Sequence, residues 1–240
     1  MKKIVFLLFC IIAFSIIQSC VIDFPDSISG NGNVVTQTRD LSEFSAIKVS
    51  SGIDVYLTQG EPQRVEVEAD ENLQQWIKTD VNGNELNIYS DKSIRLARTK
   101  KVKIVCKTLE KIEISSAGDI TGLSRFKTDK LDIDMTSAGD LKFEVEADEV
   151  RISISSAGNA DLKGNTRVFN AELSSAGDLN AYELEAKIAD VSVSSAGSAR
   201  VFVTDEARFR SSSAGNISYK GNPSIKEINT SSAGSVNKKD

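Results

Sequence analysis

A five-residue phrase recurs through the second half of this chain and restricts its fold more than any other feature. It reads Ser115-Ser116-Ala117-Gly118-Asp119 at first. It returns at Thr136-Ser137-Ala138-Gly139-Asp140, Ser155-Ser156-Ala157-Gly158-Asn159, Ser174-Ser175-Ala176-Gly177-Asp178, Ser194-Ser195-Ala196-Gly197-Ser198, Ser212-Ser213-Ala214-Gly215-Asn216 and Ser231-Ser232-Ala233-Gly234-Ser235. The glycines are 21, 19, 19, 20, 18 and 19 residues apart. Self-similarity at a period near 20 marks a stacked-repeat architecture, in which each copy buries its apolar face against its neighbours.

The flanking residues identify the repeating unit. Two and four places before the second Ser stand Ile114 and Ile112, Ile154 and Ile152, Val193 and Val191, with Glu113, Ser153 and Ser192 between them. Two places after the glycine come Ile120, Leu141, Ala160, Leu179, Ala199, Ile217 and Val236. Alternation with period two on both sides of a small-residue turn is a strand, a corner and a second strand. Every copy runs the same way with no hairpin between copies, so the copies stack in parallel. The expected fold is all-β, a parallel β-helix of about 19–20 residues per repeat, its coils ~4.8 Å apart. Seven coils stack to about 34 Å on that spacing.

Stacking explains the small residues. Each corner lies on its own copy, so Gly118, Gly139, Gly158, Gly177, Gly197, Gly215 and Gly234 are expected to be structural turns. They supply either a positive φ or a close backbone approach. The strand phase places the second Ser of each phrase toward the corner interior, bonded to a freed carbonyl or to its copy. The Asp, Asn or Ser after the glycine is expected to serve turn N–H groups. The same column, Asp119, Asp140 and Asp178 among it, invites a Ca²⁺ reading, but six to eight oxygens must converge on one point and the calcium-binding double glycine is missing. No metal and no cofactor is therefore expected. Toward the end, Ser211, Lys226 and Thr230 replace apolar residues, which reads as a polar cap against edge pairing.

Residues 1–19 form a leader: Lys2 and Lys3 precede an apolar run from Ile4 to Ile17. Its end, Ile17-Gln18-Ser19-Cys20, resembles the lipobox of bacterial lipoproteins, with Cys20 as the lipid-bearing residue. Val21, rather than Asp, implies by the same resemblance an outer-membrane destination. The tether, residues 20–33, contains Pro25, Gly30 and Gly32, and Asp26-Ser27-Ile28 resembles a short O-glycosylation motif at Ser27, against plain linker. Residues 34–108 read as an irregular β-solenoid portion and 109–240 as the regular one, 34–240 forming one continuous domain. Turn signals fall at Gly52, Gly60-Glu61-Pro62 and Asn82-Gly83-Asn84. One short helix is expected at residues 70–77, with Asp70 capping and Leu73, Trp76 and Ile77 on one face. Trp76, the sole Trp, is expected in core or lid packing.

Charge and composition narrow the function. Without Lys2 and Lys3, 27 basic side chains face 34 acidic ones, and His is absent. Nucleic-acid binders carry a basic stripe, so nucleic acid is not an expected partner. A local basic run, Lys92, Arg95, Arg98, Lys100, Lys101 and Lys103, reads as a solvated strand face with Ile94, Leu96, Val102 and Ile104 turned inward. Cys106 alone remains in the mature domain and reads as a small buried hydrophobe rather than a reactive thiol. The acidic pairs Glu144/Glu146 and Glu183/Glu185 fall on outer faces, and a Ser without a neighbouring base is a weak nucleophile. No catalytic residue is singled out, and the chain reads as a non-enzyme.

Val49-Ser50-Ser51-Gly52-Ile53-Asp54-Val55-Tyr56-Leu57-Thr58-Gln59-Gly60, then Val65 to Leu73, then the Ser-Ala-Gly series, resembles the putative auto-transporter adhesin, head GIN domain family over about residues 41–235. The resemblance implies a right-handed β-helix and an exported, envelope location, and brings no ligand residues. The expected function is a non-enzymatic, lipid-anchored binding or adhesion module for a glycan or surface protein. The alternatives are a structural or envelope-stress scaffold acting through another envelope protein and, third, a polysaccharide-active β-helix enzyme. The ligand-binding residues are left to the variable outer positions.

Overall fold

The computed structural model describes residues 27–239. The leader, Cys20 and residues 20–26 of the expected tether lie outside the described residues. The fold is nearly all strand, with parallel coils forming a β-solenoid of about seven turns. Each Ser-Ala-Gly phrase joins two strands of that stack. Strands β10 (Lys111–Ile114), β11 (Asp119–Met135), β12 (Asp140–Ile154), β13 (Asn159–Leu173), β14 (Asp178–Val193), β15 (Ser198–Ser211), β16 (Asn216–Lys220), β17 (Ser224–Thr230) and β18 (Ser235–Lys238) climb in chain order. Every pairing among them is parallel.

The inward columns form one continuous core. Phe126, Phe169 and Phe209 are fully buried, and Phe126 meets Phe143 with ring centroids 4.8 Å apart. Removing such a ring costs about 3–5 kcal/mol through lost transfer energy and the cavity left behind. A second, less obvious corner lies across from the first. The inward parity is even from Ile120 to Phe126 and odd from Leu131 to Met135, so the chain turns at Thr128–Lys130. Its copies fall near Ala147, Thr166 and Ala186, which pair in register through the stack. Buried Thr166 is within 3.0 Å of the Val168 carbonyl and 3.2 Å of the Asp148 carbonyl, so its hydroxyl serves the bend.

The lower part of the stack is not assembled in chain order. Strands β3 (Ala46–Val49) and β4 (Asp54–Gln59) lie directly beneath β10 and β11. Beneath them in turn lie β7 (Glu85–Ser90) and β9 (Lys100–Cys106), which come later in the chain. The intervening residues close the end with antiparallel strands: β2 (Val34–Arg39) on β5 (Arg64–Asp70), β5 on β9, and β6 (Ile77–Asn82) on β7. The β6–β7 hairpin turns on Gly83-Asn84 with Gly83 at φ 64°, the turn that demands glycine at its first central position. Residues 34–108, expected as an irregular solenoid portion, are mixed in strand direction: the parallel pairs β3–β7 and β4–β9 continue the stack, and antiparallel strands close its lower end.

The expected helix at 70–77 is shorter than its pattern suggested. Only Glu71–Leu73 is helical, as one 3₁₀ turn, and Asp70 makes no side-chain cap to it. The Asp70 carboxylate is instead buried and accepts from the backbone N–H groups of Gly32, Arg98 and Thr99. Leu73 still seals the core, and Trp76 is half-buried with the Lys92 ammonium 4.5 Å from its ring centre. Between β7 and β9 the chain leaves the stack as β8 (Ser93–Leu96), paired in parallel with β1 (Ser27–Ser29). Leu96, expected inside, is 68% exposed.

Candidate functional site

The Ser-Ala-Gly corner is the first candidate, because it is the most repeated chemistry in the molecule. Its backbone assigns the roles differently from the sequence expectation. The glycines are not left-handed: positive φ falls on Ser116 and Ala117, Ser195 and Ala196, Ser213 and Ala214, Ser232 and Ala233, and on Ser175. The glycines are buried, except for half-exposed Gly234, and point inward, where a Cβ on Gly139 would lie 2.3 Å from the Gly118 carbonyl oxygen and one on Gly215 2.8 Å from that of Val193. Close approach is thus their requirement.

The second Ser of the phrase faces out rather than into the corner where it is left-handed, at Ser116, Ser175, Ser195, Ser213 and Ser232, and is half-buried at Ser137 and Ser156. Two of these hydroxyls donate to the coil below, Ser156 to the Thr136 carbonyl (2.8 Å) and Ser175 to that of Ser155 (3.1 Å). The residue after the glycine also works between coils. Asp119 accepts from the Asp140 N–H (3.0 Å), and Asp140 accepts from the Asn159 amide (2.9 Å). Burial first, then the charge of Asp119, holds the Asp54 carboxyl above its usual range. No cluster of three or more metal-ligating side chains occurs among the described residues. These corner groups are thus engaged with one another, coil to coil.

A different surface is concave. Along the second corner, across four successive turns, runs a groove of about 900 Å³ bounded by Lys127, Glu146, Asp148, Asn165, Arg167 and Lys187. Gly164 sets its depth. With φ 112° it lets the backbone close on the neighbouring turn, where a Cβ would lie 2.0 Å from the Val145 carbonyl oxygen. The walls are charged and partly cross-paired: Arg167 grips Asp148 with two bonds of 2.7 and 2.8 Å, and Lys127 meets Glu146 at 3.2 Å. The Arg167 fork holds the Asp148 carboxyl below its usual range. A second hollow of about 380 Å³ adjoins on the same strands, where Asn180 donates to Asp161 (2.8 Å) and Lys163 meets Glu183 (3.0 Å). Higher on this face, the Lys220 ammonium sits 4.8 Å from the Phe202 ring centre and 5.5 Å from that of Tyr182.

The acidic pairs weighed in the sequence lie on this outer surface. Glu144 pairs with Arg125 at 2.6 Å, Glu146 with Lys127 and Glu183 with Lys163. The groove itself was not anticipated. Its signal was the one-residue parity slip near Asp129 and Asp148, together with a glycine in the strand at 164, both masked by the louder Ser-Ala-Gly period. Cys106 is fully buried, and burial pushes its thiol up to about 11, so it is no nucleophile at neutral pH.

Solved structures with the same fold include an adhesin, described as putative, from Bacteroides fragilis, with TM-score 0.82 and 23% identity over 88% of this chain and all of that one. A putative lipid binding protein from Parabacteroides distasonis superposes with TM-score 0.75 at 22% identity over 89% of this chain and 100% of its own. A putative adhesin from Parabacteroides merdae gives TM-score 0.71 at 22% identity, covering 90% and 100%. At such identities the likeness is one of fold. No curated protein matches the sequence. The family model for the putative auto-transporter adhesin, head GIN domain, matches residues 43–223, and the chain belongs to that family.

Proposed function

We propose that this chain is an exported, lipid-anchored envelope protein that binds a polymeric ligand, a glycan or an extended surface protein, on the outer face of its solenoid, without transforming it. The observation that carries this reading is the groove across four turns. Its groups repeat at the coil spacing of ~4.8 Å, so a polymer laid along the stack meets donors and acceptors at regular intervals. The lining of paired charges and amides suits a hydrated, hydroxyl-rich or peptide ligand better than a lipid tail, although one structural relative carries lipid binding in its name. Adhesin naming in the family and in other relatives agrees with this reading. Lipid at Cys20, after cleavage of residues 1–19, fastens the module to the membrane, the outer one by the residue that follows.

The test is an array of glycans and matrix proteins probed with purified residues 21–240. Saturable binding is expected, weakened at least tenfold by joint Arg167→Glu and Lys187→Glu substitution. Silence on the array together with a co-purifying envelope protein overturns adhesion in favour of a scaffold. For the anchor, Cys20→Ser is expected to release the protein from membranes, and unchanged fractionation refutes lipidation.

A further inference from the structure

The lowest turn of the stack lacks a Ser-Ala-Gly corner. Residues 91–99 occupy that level instead, leaving the stack as β8 and its flanking turns. Leu96 is the most exposed large apolar side chain among the described residues, at 68%. Arg95 and Arg98 flank it and are also exposed. From Asp91 to Lys101 five basic residues stand against one acid, in a chain whose net charge is −5. That acid, Asp91, is met by Lys78 at 3.4 Å, and the carboxylate of buried Asp70 beneath the loop accepts from backbone amides with the charge of Arg98 near it. The loop thus presents positive charge around an apolar tip.

Its position matters as much as its composition. The Gly30 N–H donates to the Leu96 carbonyl (2.7 Å), and β1 lies along β8, so the chain entering from the N-terminus is fastened to this loop. Cys20 precedes Ser27 by seven residues, a span of at most about 25 Å when extended. A bilayer holding the lipid of Cys20 is within that distance of the loop. A lipid chain supplemented by basic and apolar contacts holds a protein to a membrane more firmly than either alone.

We propose that Arg95, Leu96 and Arg98 form a docking loop that seats the lower end of the solenoid on an anionic phospholipid surface, an inference that rests on the lipid-anchor reading of Cys20. The two guanidinium groups match lipid phosphates with paired N–H donors, and Leu96 enters the boundary between headgroups and acyl chains. Docking at this level leaves the groove, which begins two turns higher, clear of the bilayer.

The test uses the full processed protein reconstituted in phosphatidylcholine vesicles with and without phosphatidylglycerol, read by amide hydrogen exchange. Protection of residues 91–99 is expected in anionic vesicles only, lost in about 1 M salt, where screening shortens to about 3 Å. Each of Arg95→Gln and Arg98→Gln is expected to weaken seating in anionic vesicles about fivefold, and Leu96→Ser to weaken it there as well. Equal exchange of residues 91–99 in both vesicle types overturns the proposal while leaving lipidation intact. Should mass measurement find Cys20 unmodified, the anchor reading fails alone; the same protein is then added to preformed vesicles, and docking survives only if it sediments with the anionic ones in an Arg95- and Arg98-dependent way.

Discussion

The corner at Ser50-Ser51-Gly52-Ile53 and the corner stacked on it at Ser115-Ser116-Ala117-Gly118 have the same length and register, since Val49 pairs with Ile114 and Asp54 with Asp119. They distribute their residues in opposite ways. The left-handed positions are Ser51 and Gly52 in one, Ser116 and Ala117 in the other. The inward position holds a fully buried Ile53 in one and Gly118 in the other. Glycine is therefore not needed where the backbone is left-handed, because Ser and Ala sit there in four repeats. It is needed where corner rests on corner. Ile53 is admissible because the level beneath it has no corner, the chain at 91–99 having left the stack.

The largest effect that follows is at an inward glycine with backbone beneath it. Gly139→Val places its Cβ 2.3 Å from the Gly118 carbonyl oxygen, an atom that can yield only by moving two coils. A loss of about 3 kcal/mol or more is expected, at the severe end for single substitutions, and urea unfolding measures it. A midpoint shift no larger than that of a surface substitution breaks the comparison outright.

Next comes the level that lacks a corner, where a buried acid does what small residues do elsewhere. Burial pushes the Asp70 carboxyl up, but the amides of Gly32, Arg98 and Thr99 outweigh it and hold the group below its usual range. A carboxyl lowered on folding stabilises the fold fully above its unfolded pKa, near 3.9, and loses that contribution as pH falls through the folded value. Asp70→Asn is expected to cost about 1.5–3 kcal/mol at neutral pH, the range for hydrogen bonds to a charged group. The gap between parent and variant is expected to close below about pH 4, as the parent's carboxyl takes up its proton. A gap unchanged across that titration would mean that shape, not charge, holds the loop.

What could be read from residues alone, and what could not, follows the same division. Period two around a period of about 20 announced the strands, the parallel stack and the inward columns, because stacked repeats put the same physical demand on every copy. The order of the lowest turns was hidden, since nothing local tells β3 that its lower neighbour is β7, nearly 40 residues later. Leu96 was read as inward from its alternation with Ile94, and the tertiary reason it is not is the pairing of β8 with β1 rather than with the stack. The role of Asp70 was misread for a similar cause: a helix cap and an acceptor for distant amides look alike until the distant amides arrive. The groove escaped because a one-residue slip of parity is faint beside seven copies of one phrase.

The smallest effects test the comparison most sharply, since they separate conformation from crowding at adjacent residues. At Gly52, φ is 61° and the nearest atom to an added Cβ is the Lys100 ammonium at 3.0 Å, the end of a flexible side chain. Gly52→Ala therefore meets conformational strain alone, about 1–2 kcal/mol. At Ala117, φ is 56°, so Ala117→Gly relieves that same strain. The relief is offset by about 0.5–1 kcal/mol of unfolded-chain entropy, leaving a net gain of about 0.5 kcal/mol. The same entropy, with its sign reversed, offsets the strain in Gly52→Ala, so the two substitutions should move the unfolding midpoint in opposite directions by similar amounts. If Ala117→Gly destabilises by as much as Gly52→Ala does, the left-handed strain assigned to the Ser-Ala pair is absent, and the repeat conserves its Ala for contact with the neighbouring coil instead.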